Sequence, residues 1–201
     1  MYYIGRILCY TLLRILGWRR TVGAENIPAE GGVILAPNHV SYLDPPLVGS
    51  GIRRQVHFMA KEELFKIPVL GFLIRSVGSF PVRRSTADRT ALKKAIDLLA
   101  EGRVICIFPE GTRSPDANLL PPELGFAMIA LKSRAPVVPA ALFGTERSLS
   151  ARSSFLRFGR IEIVYGEPIT FDDLYDKPGR DSLEEVGRRV MEAIRELRAQ
   201  S

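Results

Sequence analysis

Two cysteines, two histidines and one tryptophan in 201 residues leave little material for several kinds of chemistry. Cys9 and Cys106 stand alone and make no metal-ligand pattern, and a disulfide framework is not expected. No H-E-x-x-H occurs, and a metal held by His39 and His57 would need mostly carboxylate ligands, so no metal is assigned. G-x-S-x-G is absent, and Ser50 in "VGSG" has the wrong frame for a nucleophile elbow. Neither G-x-G-x-x-G nor G-x-x-x-x-G-K-[ST] appears, which removes the usual nucleotide cradles. There is also no linker, repeat or low-complexity run, so one core is expected.

What the chain does have is a basic surplus. Lys plus Arg number 28 against 22 Asp plus Glu, net +6, and 22 of those cations are arginine. Such a surplus suits an anionic partner, and arginine suits paired hydrogen bonds to phosphate.

The N-terminus, "MYYIGRILCYTLLRILGW", is apolar but interrupted by Arg6 and Arg14. At 100° per residue, Tyr3, Arg6, Tyr10, Arg14 and Gly17 share one stripe, with Ile4, Leu8, Leu12 and Ile15 largely opposite. A spanning helix needs about 20 mostly apolar residues, and a central Arg costs roughly 2.5–3.5 kcal/mol on insertion scales. Residues 1–20 are therefore expected to lie in a membrane interface, with Trp18, Arg19 and Arg20 at the headgroups. The alternative is an amphipathic helix packed on its own domain. Residues 21–201 would form that domain.

Beyond it, short apolar runs alternate with helical patterns. "TVGAENIP" reads as a short strand and turn, and "GGVILAP", "QVHFMA", "SFPV", "RVICIF", "APVVPAALFG" and "RIEIVYGEPI" read as strands. "DPPLVG", "KEELFKIP", "VLGFLIRSVG", "STADRTALKKAIDLLAEG", "ELGFAMIALKSR" and "SLEEVGRRVMEAIRELRAQ" read as helical, Asp44 serving as an N-cap before its two prolines. This alternation predicts an α/β fold with a mixed, mostly parallel sheet flanked by helices. Ligands in such sheets bind beyond the carboxyl ends of strands, where "NHVSYLD" and "PEGTRS" both begin.

His39 and Asp44 lie five positions apart in the first of these. A carboxylate on one ring nitrogen would fix the tautomer and leave the other nitrogen to take a proton. A packed histidine beside an ordinary helix cap fits the same spacing. In "FPEGTRS", Glu110 can accept from a hydroxyl, Gly111 lets backbone approach a ligand, and Arg113 can pair with phosphate, although the segment is also good turn chemistry. Arg83 and Arg84 follow a strand, where a pair of arginines is usually solvated surface, and Lys61, opening "KEELF", is as ambiguous alone.

Taken in order, "NHVSYLD", "GSFPVRRS", "FPEGTRS" and "APVVPAAL" resemble the four motifs of the glycerolipid acyltransferases, most nearly the bacterial 1-acyl-glycerol-3-phosphate acyltransferases. The resemblance runs from about residue 20 to 170. It implies a glycerol-3-phosphate acyltransferase-like fold and an O-acyltransferase that makes phosphatidic acid for phospholipid biosynthesis. His39 and Asp44 would be the catalytic dyad. Lys61, Arg84, Glu110, Gly111, Thr112 and Arg113 would bind the lysophosphatidic acid acceptor, and Val138 and Pro139 would shape the acyl-donor site. No cofactor is implied beyond the donor, acyl-CoA or acyl carrier protein. The expected location is the cytoplasmic face of the cell membrane, peripheral or monotopic, with no nucleic-acid partner. Rival readings are acylation of another lipid hydroxyl, or a non-catalytic lipid-binding protein of the same fold.

Overall fold

The computed structural model describes residues 2–83, 88–149, 158–177 and 179–200. Helix α1 (Tyr2–Leu16) leads into strand β1 (Trp18–Val22), and β2 (Val33–Pro37) into α2 (Asp44–Gly51). Next come β3 (Val56–Lys61), a 3-10 turn over Glu62–Lys66, α3 (Pro68–Ser76), β4 (Phe80–Val82), α4 (Arg89–Ala100) and β5 (Val104–Cys106). After α5 (Leu124–Ser133), β6 (Val137–Phe143) and the short α6 (Thr145–Ser148), β7 (Ile161–Tyr165) precedes the long α7 (Arg180–Ala199).

The strands form one sheet in the order β1-β7-β6-β2-β5-β3-β4. From β6 to β4 every neighbouring pair is parallel. Among the described strands β6 pairs antiparallel with β7, and β1 then pairs parallel to β7. The sheet is thus mixed and mostly parallel, as the alternating pattern predicted. Strand β2 lies at its centre and is buried along all five residues, each large side chain contributing about 1.5–3 kcal/mol by leaving water. The continuous apolar run "VILAP" reflects helices on both faces.

One face is covered by α4, α5 and α7, whose Ala95, Leu98, Phe126, Ile129, Val186, Val190 and Ile194 join a common core. The other carries α1 and α2, through Leu13, Leu16, Leu47 and Val48, with Trp18 of β1. Leu13 and Leu16 are 1% and 2% exposed, so α1 is anchored to the domain. Its other side stays open, with Ile7, Leu8 and Ile15 all more than 60% exposed. Arg6 and Arg14 turn back to the protein, donating to Arg53 O and Trp18 O. The expected boundary after residue 20 falls inside β1. Among the described residues no helix is long and apolar enough to cross a membrane.

Candidate active site

The chain leaves β2 at Pro37, and the next seven residues build the site. Asn38 takes over where backbone pairing stops. Its Oδ1 accepts from Leu142 N at 2.7 Å and its Nδ2 donates to Leu142 O, so a side chain extends the β2–β6 ladder. His39 follows, 6% exposed. Its Nδ1 lies 2.8 Å from Asp44 Oδ2, and Asp44 is wholly buried.

Asp44 does not cap its helix, contrary to the N-cap expectation. It is the first residue of α2, and the residue before it makes no side-chain cap. The Asp44 carboxylate points backwards, Oδ2 accepting from Val40 N and Ser41 N at 2.7 Å each. Two prolines follow it in the first turn, where amide donors would otherwise want a cap. The carboxylate is therefore spent on the turn that carries the histidine. Ser41 Oγ braces the same turn by accepting from Leu43 N and donating to Leu149 O.

The "FPEGTRS" segment clamps His39 from three directions. Phe108 stacks on the imidazole, ring centroids 3.8 Å apart and planes within 19°. Glu110 Oε1 accepts the His39 backbone N–H at 2.9 Å, and Ser114 N donates to His39 O at 2.8 Å. Glu110 Oε2 accepts from Leu120 N at 2.9 Å. Burial raises the Glu110 pKa above the ordinary carboxylate value, and the two backbone donors oppose that rise. The resemblance assigns Glu110 to acceptor binding; in the structure both oxygens also hold backbone. Gly111 turns the chain at φ +66°, and a Cβ there would lie 2.7 Å from Glu123 Cγ, so only glycine suits the position. Arg113 lies over the Tyr42 ring, its Cζ 3.6 Å from the centroid, joining the two motif blocks. Thr112 is exposed.

The remaining candidates stand at the same strand ends or beneath them. Lys61 pairs in register with Val82, so Lys61 and Arg83 leave the sheet side by side. Lys61 Nζ is 3.6 Å from Glu63 and half exposed. Arg83 donates its N–H to Asp88 at 3.0 Å. Arg84 lies outside the described residues. Val138 and Pro139 are buried in β6 opposite Leu35 and Ala36, under the site. His57 is far from the dyad in register: level with Ile34, its Nδ1 is 2.9 Å from Gly78 O. Cys106 is fully buried, and burial followed by the Asp44 charge pushes its pKa well up, so it is a thiol and a poor nucleophile. Sequence reasoning passed over Asn38, Tyr42, Phe108 and Ser114. All four fall within the two motif blocks, but nothing in their spacing announces a stacking partner or a backbone brace.

With Nδ1–H donated to Asp44, Nε2 is the ring nitrogen able to take a proton, at a strand end beside a cation-bearing loop. Such an arrangement can take a proton from a hydroxyl or a thiol. Residues 19–142 match the acyltransferase family, and the chain belongs to it. The chain is 32% identical over 187 residues to the 1-acyl-sn-glycerol-3-phosphate acyltransferase of Bacillus subtilis, covering 92% of this chain and 91% of that protein. A chloroplastic relative of the same name from Brassica napus is 33% identical over 151 residues, though the match spans only 44% of its length. The crystal structure of the 1-acyl-sn-glycerophosphate acyltransferase PlsC of Thermotoga maritima superposes with a TM-score of 0.81 at 30% identity, covering 98% of this chain and 80% of that one. The protein is an O-acyltransferase of this α/β fold.

Proposed function

We propose that the protein transfers an acyl group from an acyl thioester to the sn-2 hydroxyl of 1-acyl-glycerol-3-phosphate, yielding phosphatidic acid. The observation that carries this is the 2.8 Å contact between His39 Nδ1 and Asp44 Oδ2, and the named relatives supply the acceptor. His39 Nε2 takes the hydroxyl proton as the oxygen attacks the thioester carbonyl. The tetrahedral intermediate then collapses, breaking the C–S bond, and the imidazolium returns its proton to the departing thiolate. Asp44 orients the ring and stabilises its charged form without becoming protonated. No acyl-enzyme forms on this route.

The acceptor phosphate is dianionic on a single-chain lipid, so cations beside the dyad would hold it. Lys61, Arg84 and Arg113 are assigned to that task, with Gly111 and Thr112 presenting backbone and hydroxyl groups. Glu110 keeps the loop and the histidine in register. The donor is a thioester of coenzyme A or of acyl carrier protein. An acceptor that lives in a bilayer requires an enzyme resting on one, and the open face of α1 supports peripheral attachment, proposed for the cytoplasmic surface.

The test is to offer lysophosphatidic acid and monoacylglycerol side by side, to wild type and to Arg84→Gln. The proposal expects turnover of the phosphorylated acceptor only, with a raised KM in the variant. Equal use of the acceptor without phosphate would overturn the acceptor assignment.

A further inference from the structure

Helix α3 departs from what a crossover helix does. It links the parallel strands β3 and β4, and such helices bury an apolar face on the sheet. Yet only Gly71 of its nine residues is buried. Val69 is 74% exposed, Phe72 59% and Leu73 52%, with Ile67 just before the helix at 49%. Exposed apolar residues this concentrated on one short element mark an interaction surface.

The topology says which way that surface faces. The chain steps across the sheet in the same direction from β2 to β3 as from β3 to β4. Right-handed crossovers therefore place α2 and α3 on the same face. Helix α1 packs on that face too, through Leu13 and Leu16. It also reaches α3's end: a Cβ on Gly5 would lie 3.9 Å from Val77, the residue following α3. The open apolar sides of α1 and α3 thus belong to one side of the molecule.

The opposite side has a different chemistry. Lys93 pairs with Asp97 on α4, and on α7 Arg180 pairs with Glu184, and Arg188 and Arg189 with Glu185. That is a face built for water. Between apolar helices on one side and ion-paired helices on the other, a lipid surface is the occupant that fits, and cations flank it. Lys66 precedes α3, Arg75 lies in its last turn, and Lys61 ends the adjoining strand.

We infer that α3 is a second membrane footing, inserting Ile67, Val69, Phe72 and Leu73 into the bilayer interface beside α1. This rests on the peripheral attachment proposed above and goes beyond it. Two footings fix the tilt of the molecule where one helix would let it roll. They also hold the ends of β3 and β4, where Lys61 and Arg83 emerge, at headgroup level.

The experiment is co-sedimentation of the full chain with phosphatidylcholine–phosphatidylglycerol vesicles. Wild type is compared with V69S/F72S/L73S in α3 and with I7S/L8S/L12S in α1, each checked for an unchanged thermal melt. The expected result is that each triple variant loses about tenfold or more in vesicle partition, since interfacial binding scales with the apolar area buried. Val69→Trp gives an independent readout: its fluorescence, beyond that of Trp18, should be quenched by lipids brominated in the acyl chain. An α3 variant that partitions like wild type while the α1 variant is released overturns the inference and leaves peripheral attachment standing. Failure of wild type to partition overturns both. Sedimentation velocity without lipid decides the remaining rival: a wild-type dimer that the α3 substitutions dissociate would show that a second copy covers this face.

Discussion

Asp44 Oδ2 receives three donors, the imidazole and two backbone amides, so one carboxylate both shapes the turn and orients the imidazole. Asp44→Asn is predicted to lower kcat on the order of 10²-fold or more, because the amide cannot stabilise an imidazolium. Glu110 offers a sharper separation of roles. Glu110→Gln keeps the shape but turns one acceptor into a donor facing a backbone N–H. A loss of about 1–3 kcal/mol in denaturant stability is expected, with kcat falling more than KM rises as His39 drifts. A variant that raises KM alone would make Glu110 a direct acceptor ligand. The His39–Asp44 contact was legible because histidine is scarce here and follows an apolar strand. Glu110's hold on the His39 and Leu120 amides was not, because a hydrogen bond to backbone leaves no mark on its partner's side chain.

Among the elements, α4 was the clearest helix in the sequence, and its start shows why boundaries are harder than existence. Asp88 caps it by accepting from Thr90 N and Ala91 N, and also takes the Arg83 N–H. These contacts, the Arg83 amide first, hold its pKa below the ordinary aspartate value. Asp88→Ala should cost about 1 kcal/mol in a urea melt and loosen the arginine block after β4. On α7, Glu185 is drawn down to about 2 by Arg188 and Arg189. A depressed carboxylate stabilises above its unfolded value near 4.5 and loses that contribution as pH falls toward 2. Glu185→Gln should therefore melt below wild type at neutral pH, and the gap should close on acidification through that window. A constant gap would mean the ion pairs are inert. The sequence could not give α3's exposure, since an apolar nine-residue run reads alike whether it meets a sheet or a bilayer.

At the scale of the whole molecule, the alternation of elements was enough for an α/β sheet, while the reversal of β1 and β7 was not. Strand direction follows from where the connection lands, and among the described residues between β6 and β7 the only helix is the four-residue α6. The fold brings the motif blocks "NHVSYLD" and "FPEGTRS" together at neighbouring strand ends, with the apolar helices α1 and α3 on a shared side. At the centre of that arrangement His39 is proposed as the base. Acyl transfer to lysophosphatidic acid in mixed micelles, wild type against His39→Ala with matched thermal melts, tests it most directly. Robust wild-type turnover and a fall of roughly 10²–10⁴-fold in the variant are expected. Turnover that survives the substitution would contradict it and leave His39 a packed residue.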